Sequence, residues 1–120
     1  MKKILVVDDE KNIRDMYTSL LVSEGFKVIE ASNASETNEI LKKEAIDLVL
    51  LDIKMPDIDG ETLSEVIQMF HKNTKVIVSS VYHPEEQKRM ISWAHDYYDK
   101  SQGIEVLLKK IKGVVENGTN

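Results

Sequence analysis

Three runs of strand length, Ile4–Val7, Leu48–Leu51 and Val76–Val78, are apolar at every position. A strand with one wet face alternates apolar and polar residues, so runs without alternation need cover on both faces, as in a parallel sheet flanked by helices. The residues between these runs carry helical spacing instead. After the first run, Ile13, Met16, Tyr17, Leu20 and Leu21 form one stripe, and Gly25 ends it. Phe26–Ala31 reads as a second strand. Asn33, with Glu36 three residues later, resembles a capping box opening a helix that buries Ile40 and Leu41. The third strand, Ile46–Leu51, leads through a turn at Met55–Gly60 to a stripe of Leu63, Val66, Ile67 and Phe70. Pro84, Glu85 and Glu86 predict a helix start after the fourth strand, because proline fits the first turn and acids favour its positive end. Tyr97-Tyr98 gives a more polar fifth strand, suited to an edge, and Ile104, Leu107, Leu108, Ile111 and Val115 complete the last helix.

Five such units, joined by right-handed crossovers, predict an α/β fold: a five-stranded parallel sheet in the order 2-1-3-4-5 with helices on both faces. The 120 residues suffice for one compact core, and we expect a single domain over residues 1–120 with no effector domain. With no cysteine, disulfides and thiolate metal sites are excluded. The start MKKILVVDD offers only four apolar residues in a row, too few for a signal-peptide core or a membrane span. A cytoplasmic protein without membrane attachment is expected. A formal charge of -5 argues against direct nucleic-acid binding. The one basic patch, Lys109-Lys110-Lys112, reads as a solvated face near a helix C-terminus.

The order 2-1-3-4-5 has its switch point between strands 1 and 3, where open α/β sheets bind ligands at the carboxyl ends of their strands. Asp8 and Asp9 follow strand 1, and Asp52 closes strand 3. Three carboxylates gathered there repel one another unless a cation stands between them, and their hard oxygens suit Mg²⁺ or Mn²⁺. Ser80 and Lys100, at the ends of strands 4 and 5, add a hydroxyl and a mobile cation to the same rim. A lone aspartate at such a place reads as a helix cap; five convergent groups read as a site. His71, His83 and His95 show no metal-ligand spacing, and Trp93 reads as packing or a partner contact.

These residues carry a resemblance to the receiver domains of two-component response regulators. ILVVDDE resembles the family's acidic first strand end, LVLLDIKMPDIDG its phosphoacceptor strand and turn, VIVSSVY its hydroxyl strand and YYDKS its lysine strand. The resemblance implies that Asp52 is the phosphorylated aspartate and that Asp8, Asp9, Asp52 and the main-chain carbonyl of Lys54 hold Mg²⁺. It further implies that Ser80 binds a phosphoryl oxygen, Lys100 pairs with the phosphoryl charge, and Tyr97 is the switch aromatic. Lys54 and Tyr82 fall at positions that flank the path of the hydrolytic water in receivers, which implies slow self-dephosphorylation. The implied donor is a sensor histidine kinase or a histidine phosphotransferase, and the implied output goes to a downstream protein or an effector domain absent from this chain. The chain is then a phosphoacceptor, not an enzyme acting on a separate substrate.

Two other readings fit the residues less well. A haloacid-dehalogenase-type phosphatase needs an acid two residues after its aspartyl nucleophile, where this chain has Lys54. A flavodoxin-like binding module wants a hydroxyl- and glycine-rich loop after strand 1, where this chain is acidic. The chain also departs from the receiver pattern at four places. Ser80 replaces the commoner threonine, Val81 a smaller residue that leaves a path to the phosphoryl group, Trp93 a common glycine, and Ser101 the proline that usually follows the lysine. With proline that bond is usually cis, a form that costs roughly 2.5–4 kcal/mol before other residues. Attraction between Lys100 and three carboxylates offsets such a cost, so a cis Lys100–Ser101 bond with Lys100 aimed at Asp52 is expected.

Overall fold

Burial follows the apolar runs closely. The computed structural model describes residues 2–52, 67 and 73–117. The expected turn at Met55–Gly60, the positions Lys54, Leu63, Val66 and Phe70, and His71 lie outside the described residues. Five strands, β1 (Lys3–Val7), β2 (Lys27–Ala31), β3 (Leu48–Asp52), β4 (Lys75–Ser80) and β5 (Asp96–Asp99), form one sheet in the order β2-β1-β3-β4-β5. Each pairing is parallel. The central strand β3 is buried at every position, as a strand covered on both faces must be.

Alternate side chains divide the core in two. Leu5, Val7, Val49, Leu51, Val76 and Val78 face one layer, where Ala34, Leu41, Ile67 and Ile91 cover them. Ile4, Val6, Leu48, Leu50 and Ile77 face the other, under Tyr17, Leu21, Leu107 and Ile111. Each fully buried aliphatic side chain here contributes about 1.5–3 kcal/mol relative to an exposed one.

The described helices are α1 (Lys11–Ser23), α2 (Ala34–Lys43), α3 (Pro84–Met90) and α4 (Ile104–Asn117). Gly25 ends α1 in the left-handed region at φ 93°, which lets the Phe26 N–H turn back to the Leu21 carbonyl at 3.1 Å. Met16 does not share the buried stripe and is 41% exposed, whereas Tyr17 and Leu21 are buried. One residue from Tyr17, it sits about 100° further round the helix, past the edge of the face. At α2, the Asn33 side chain accepts from the Glu36 N–H at 2.8 Å. The expected reciprocal bond is displaced by one residue, because the Glu36 carboxylate accepts from the N–H and hydroxyl of Ser32. Pro84 occupies the first turn of α3, and the His83 ring caps it, Nδ1 accepting from the Glu85 N–H at 3.2 Å.

Candidate functional site

β1 and β3 are sheet neighbours, so their exits lie side by side. Asp8 follows β1 and Asp52 ends β3; both are almost fully buried, at 1% and 4% exposure. Asp8 is held from several directions. Its N–H continues the ladder to the Ala31 carbonyl at 3.2 Å, and its Oδ1 accepts from the Glu10 N–H at 3.0 Å. Its carbonyl accepts from Arg14 Nη1 at 2.7 Å, while Arg14 Nε donates to Glu30 on β2 at 3.2 Å. The Thr18 hydroxyl completes that network by donating to the other Glu30 oxygen at 2.8 Å. Neither Arg14 nor Glu30 stands out in the sequence.

Lys100 reaches into this pocket from the end of β5. Its Nζ lies 2.9 Å from Asp8 Oδ2 and 3.3 Å from Asp52 Oδ2. Burial acts to lower the Lys100 pKa, but hydrogen bonding and charge from Asp8 and Asp52 outweigh it and raise the pKa above the ordinary lysine value. The lysine therefore stays charged.

The expectation that Lys100 aims at Asp52 is met; the expected cis bond is not. No cis peptide occurs among the described residues, so the Lys100–Ser101 bond is trans. The turn is made by another device. The Asp99 carboxylate accepts from the Ser101 N–H at 2.9 Å and the Ser101 hydroxyl at 2.7 Å, capping a short 3-10 turn over Lys100–Gln102. The Gln102 side chain returns to accept from the Asp99 N–H at 3.2 Å. Serine supplies the N–H and hydroxyl that proline lacks, so this local cap directs the chain without the cost of a non-proline cis bond.

The carboxylates of Asp8, Asp9 and Glu10 offer oxygens within 4.8 Å of one another, Asp9 and Glu10 being exposed. An all-oxygen set of this kind, with an exposed side for waters, fits a hard divalent cation such as Mg²⁺. Glu10 was not anticipated, while Asp52 lies outside this trio and connects to Asp8 through Lys100. The Lys54 carbonyl lies outside the described residues.

Ser80, 1% exposed, ends β4, where its hydroxyl oxygen accepts from the Tyr82 N–H at 3.2 Å. In the sheet register the partner of Asp52 is its neighbour, Ser79. Ser79 Oγ is buried without a well-formed hydrogen bond. Tyr17, 3% exposed, lies close enough for its phenol to feel that hydroxyl, although burial has the larger effect and raises the phenol's pKa. The Tyr97 hydroxyl donates to the Ile91 carbonyl, and Tyr97, Tyr82 and Trp93 pack half-buried on one core layer. Val81, which stands where receivers usually have a smaller residue, is 66% exposed and turns mostly to solvent.

The remaining candidates lie elsewhere. The His95 ring accepts from the Val76 N–H at 3.1 Å, and burial lowers its pKa, which favours the neutral ring that this bond requires. Of the basic patch, Lys110 pairs with Asp96 at 3.2 Å and Lys112 with Glu24 at 2.8 Å, so two of its lysines are neutralised rather than simply solvated. A cavity of about 590 Å³ lies between β5 and α4, lined by His95, Asp96, Lys110 and Val114 among others, with none of the acidic site residues.

Residues 4–112 match the family model for the response regulator receiver domain. The chain is 46% identical over 70 residues to the regulatory protein VanRc of Enterococcus gallinarum, covering 58% of this chain and 30% of that protein. It is 36% identical over 81 residues to sporulation initiation phosphotransferase F of Bacillus subtilis, covering 68% of this chain and 65% of that one. The matches thus span less than two thirds of either relative. Among solved structures, the response regulator TrrA of Thermotoga maritima, in complex with Mg²⁺-BeF, superposes with a TM-score of 0.87 at 35% identity, covering 95% of this chain and 99% of that one.

Proposed function

Because the chain belongs to the family of response regulator receiver domains, we propose that Asp52 is its phosphoacceptor and that Lys100, Ser80, Asp8 and Asp9 serve that residue. One observation carries the assignment: Lys100 Nζ stands between the buried carboxylates of Asp8 and Asp52. An ionised Asp52 is already a competent nucleophile, so no general base is required. Its carboxylate oxygen forms a bond to phosphorus as the bond from phosphorus to the donor's histidine nitrogen breaks. Lys100 meets the negative charge brought in, and the Ser80 hydroxyl, whose oxygen accepts from the Tyr82 N–H, donates its own proton to a phosphoryl oxygen. Asp8 and Asp9, with Glu10 beside them, would hold Mg²⁺, which supplies charge neutralisation at the transferring group. The Mg²⁺-BeF bound in TrrA supports this reading.

The donor is a sensor histidine kinase or a histidine phosphotransferase. The added charge draws the Ser80 and Lys100 loops inward, with Tyr97 as the responding aromatic, and presents a changed surface to a downstream protein or effector domain. No described helix is long and apolar enough to cross a membrane, and the reading is of a cytoplasmic signalling domain. Treatment with acetyl phosphate and Mg²⁺, followed by trapping of the acyl phosphate and mass spectrometry, should label Asp52 alone. Undiminished labelling of Asp52→Asn would sink the assignment.

A further inference from the structure

Gln87 lies inside the protein at 0% exposure, although it belongs to the short, charged helix α3. Its Nε2 donates to the Tyr82 carbonyl at 2.7 Å and to the Tyr98 carbonyl at 2.9 Å, which uses both amide protons. Its Oε1 is buried without a hydrogen-bond partner among the described residues. A polar group so placed costs folding free energy that an apolar side chain of similar size would not incur. Against that cost, its two bonds satisfy main-chain carbonyls from which an apolar side chain would remove this partner, and the places of those carbonyls indicate what else the glutamine does.

Tyr82 stands two residues after Ser80, and Tyr98 two residues before Lys100. The Tyr82 N–H is itself bonded to the Ser80 hydroxyl, and the chain leaving Tyr98 runs directly into the Asp99-capped turn that aims Lys100. One side chain thus spans the two segments that carry the hydroxyl and the ammonium. We infer that Gln87 is a positioning residue that couples the Ser80 and Lys100 segments, so that both groups close on the phosphoryl group as one unit. The inference rests on the phosphoacceptor reading, since it takes that event as the one being coordinated. A two-point tie suits this task because an inward shift of either carbonyl pulls the amide, and the amide pulls the other segment.

The test compares the wild-type chain with Gln87→Met, which keeps length and volume but removes both donors. Beryllofluoride with saturating Mg²⁺ serves as the acyl-phosphate mimic, and backbone hydrogen exchange is followed at residues 80–82 and 98–100. In the wild type, loading should protect both segments. In Q87M, protection at 98–100 should fall at least roughly fivefold, the lower end of ordinary coupling between sites, and beryllofluoride should bind more weakly. Affinity for Mg²⁺ alone should not fall, which a general loss of structure would not allow. Equal protection of both segments in Q87M and wild type would overturn the inference, as would a wild type in which only one segment responds. Should Q87M fail to fold, Gln87→Asn keeps the amide but is one methylene too short to reach both carbonyls, and the same outcomes apply. Failure of the wild type to bind beryllofluoride or to accept phosphoryl at Asp52 would instead refute the phosphoacceptor reading, and this inference with it.

Discussion

Lys100 Nζ and Asp8 Oδ2 meet at 2.9 Å across 92 positions of chain, in a pocket where Asp8 is 1% exposed. The ion pair neutralises one of the buried carboxylates that a metal ion would otherwise satisfy, and the same ammonium reaches Asp52 at 3.3 Å. A divalent cation bound here would therefore compete with the lysine for the same negative charge.

Lys100→Met should bind Mg²⁺ more tightly than the wild type, by roughly tenfold if about 1.4 kcal/mol of competition is relieved. Without metal the variant should be less stable, since removing one partner of a buried pair leaves the other uncompensated. The Lys100 pKa is raised in the folded protein, so the pair's contribution is fully present below the unfolded-state lysine pKa. It is lost as pH rises through the higher folded value. The gap between wild type and K100M in urea unfolding should thus stay constant through neutral pH and close only above about pH 10.4. A Mg²⁺ affinity unchanged by K100M, measured by calorimetry, would contradict the competition.

Asp9 is, with Glu10, an exposed member of the acidic trio, and no bond from its side chain appears among those described. Its removal relieves repulsion between neighbouring carboxylates. Asp9→Ala should lose Mg²⁺ binding yet keep, or slightly raise, the metal-free melting temperature. A clear fall in that temperature without metal would show that Asp9 serves the fold instead.

The lifetime of the acyl phosphate should be long. Lys54 lies two residues beyond the acceptor and Tyr82 two beyond Ser80, and Tyr82 is held half-buried against the core layer that also carries Tyr97. A long cation and an aromatic ring at these positions would hinder an incoming water. Lys54→Ala combined with Tyr82→Ala should accelerate hydrolysis severalfold, followed by decay of labelled protein after removal of acetyl phosphate. An unchanged rate would remove shielding as the explanation.

The sheet was legible because fully buried strands cannot hide: ILVV, LVLL and VIV have no second reading at that length with helical stripes between them. The acids at strand ends were legible for the same reason, since topology alone sets them side by side. What escaped notice were polar side chains turned inward. Gln87 lies three residues after Pro84 and four before the buried Ile91, a spacing that marks it as inward-facing, but the run EEQKRM looks wholly solvated. The lysine turn does not follow from the missing proline, which bears on the peptide bond alone. The Asp99-Lys100-Ser101 sequence offered a simpler cap, a carboxylate two residues before an N–H and a hydroxyl.

Arg14 is another residue that sequence patterning passed over, because its partners come from β2 and from a main-chain carbonyl. It is 13% exposed at the side chain, and its planar head joins the Asp8 carbonyl to the Glu30 carboxylate. The bond to a carbonyl at the exit of β1 fixes the direction in which Asp8 and Asp9 leave the sheet. Lysine in its place keeps the charge but presents a point rather than a fork, so it cannot hold both partners in the same geometry. Arg14→Lys should cost about 1.5–3 kcal/mol in stability, the usual range for a hydrogen bond to a charged group. It should also weaken Mg²⁺ binding, because the carboxylates are then less well aimed before the ion arrives. Arg14→Lys combined with Glu30→Gln should weaken Mg²⁺ binding scarcely further, since the two residues act through one network. Fully additive losses in that double variant, measured by calorimetric Mg²⁺ titration, would show that Glu30 acts on the site by another route.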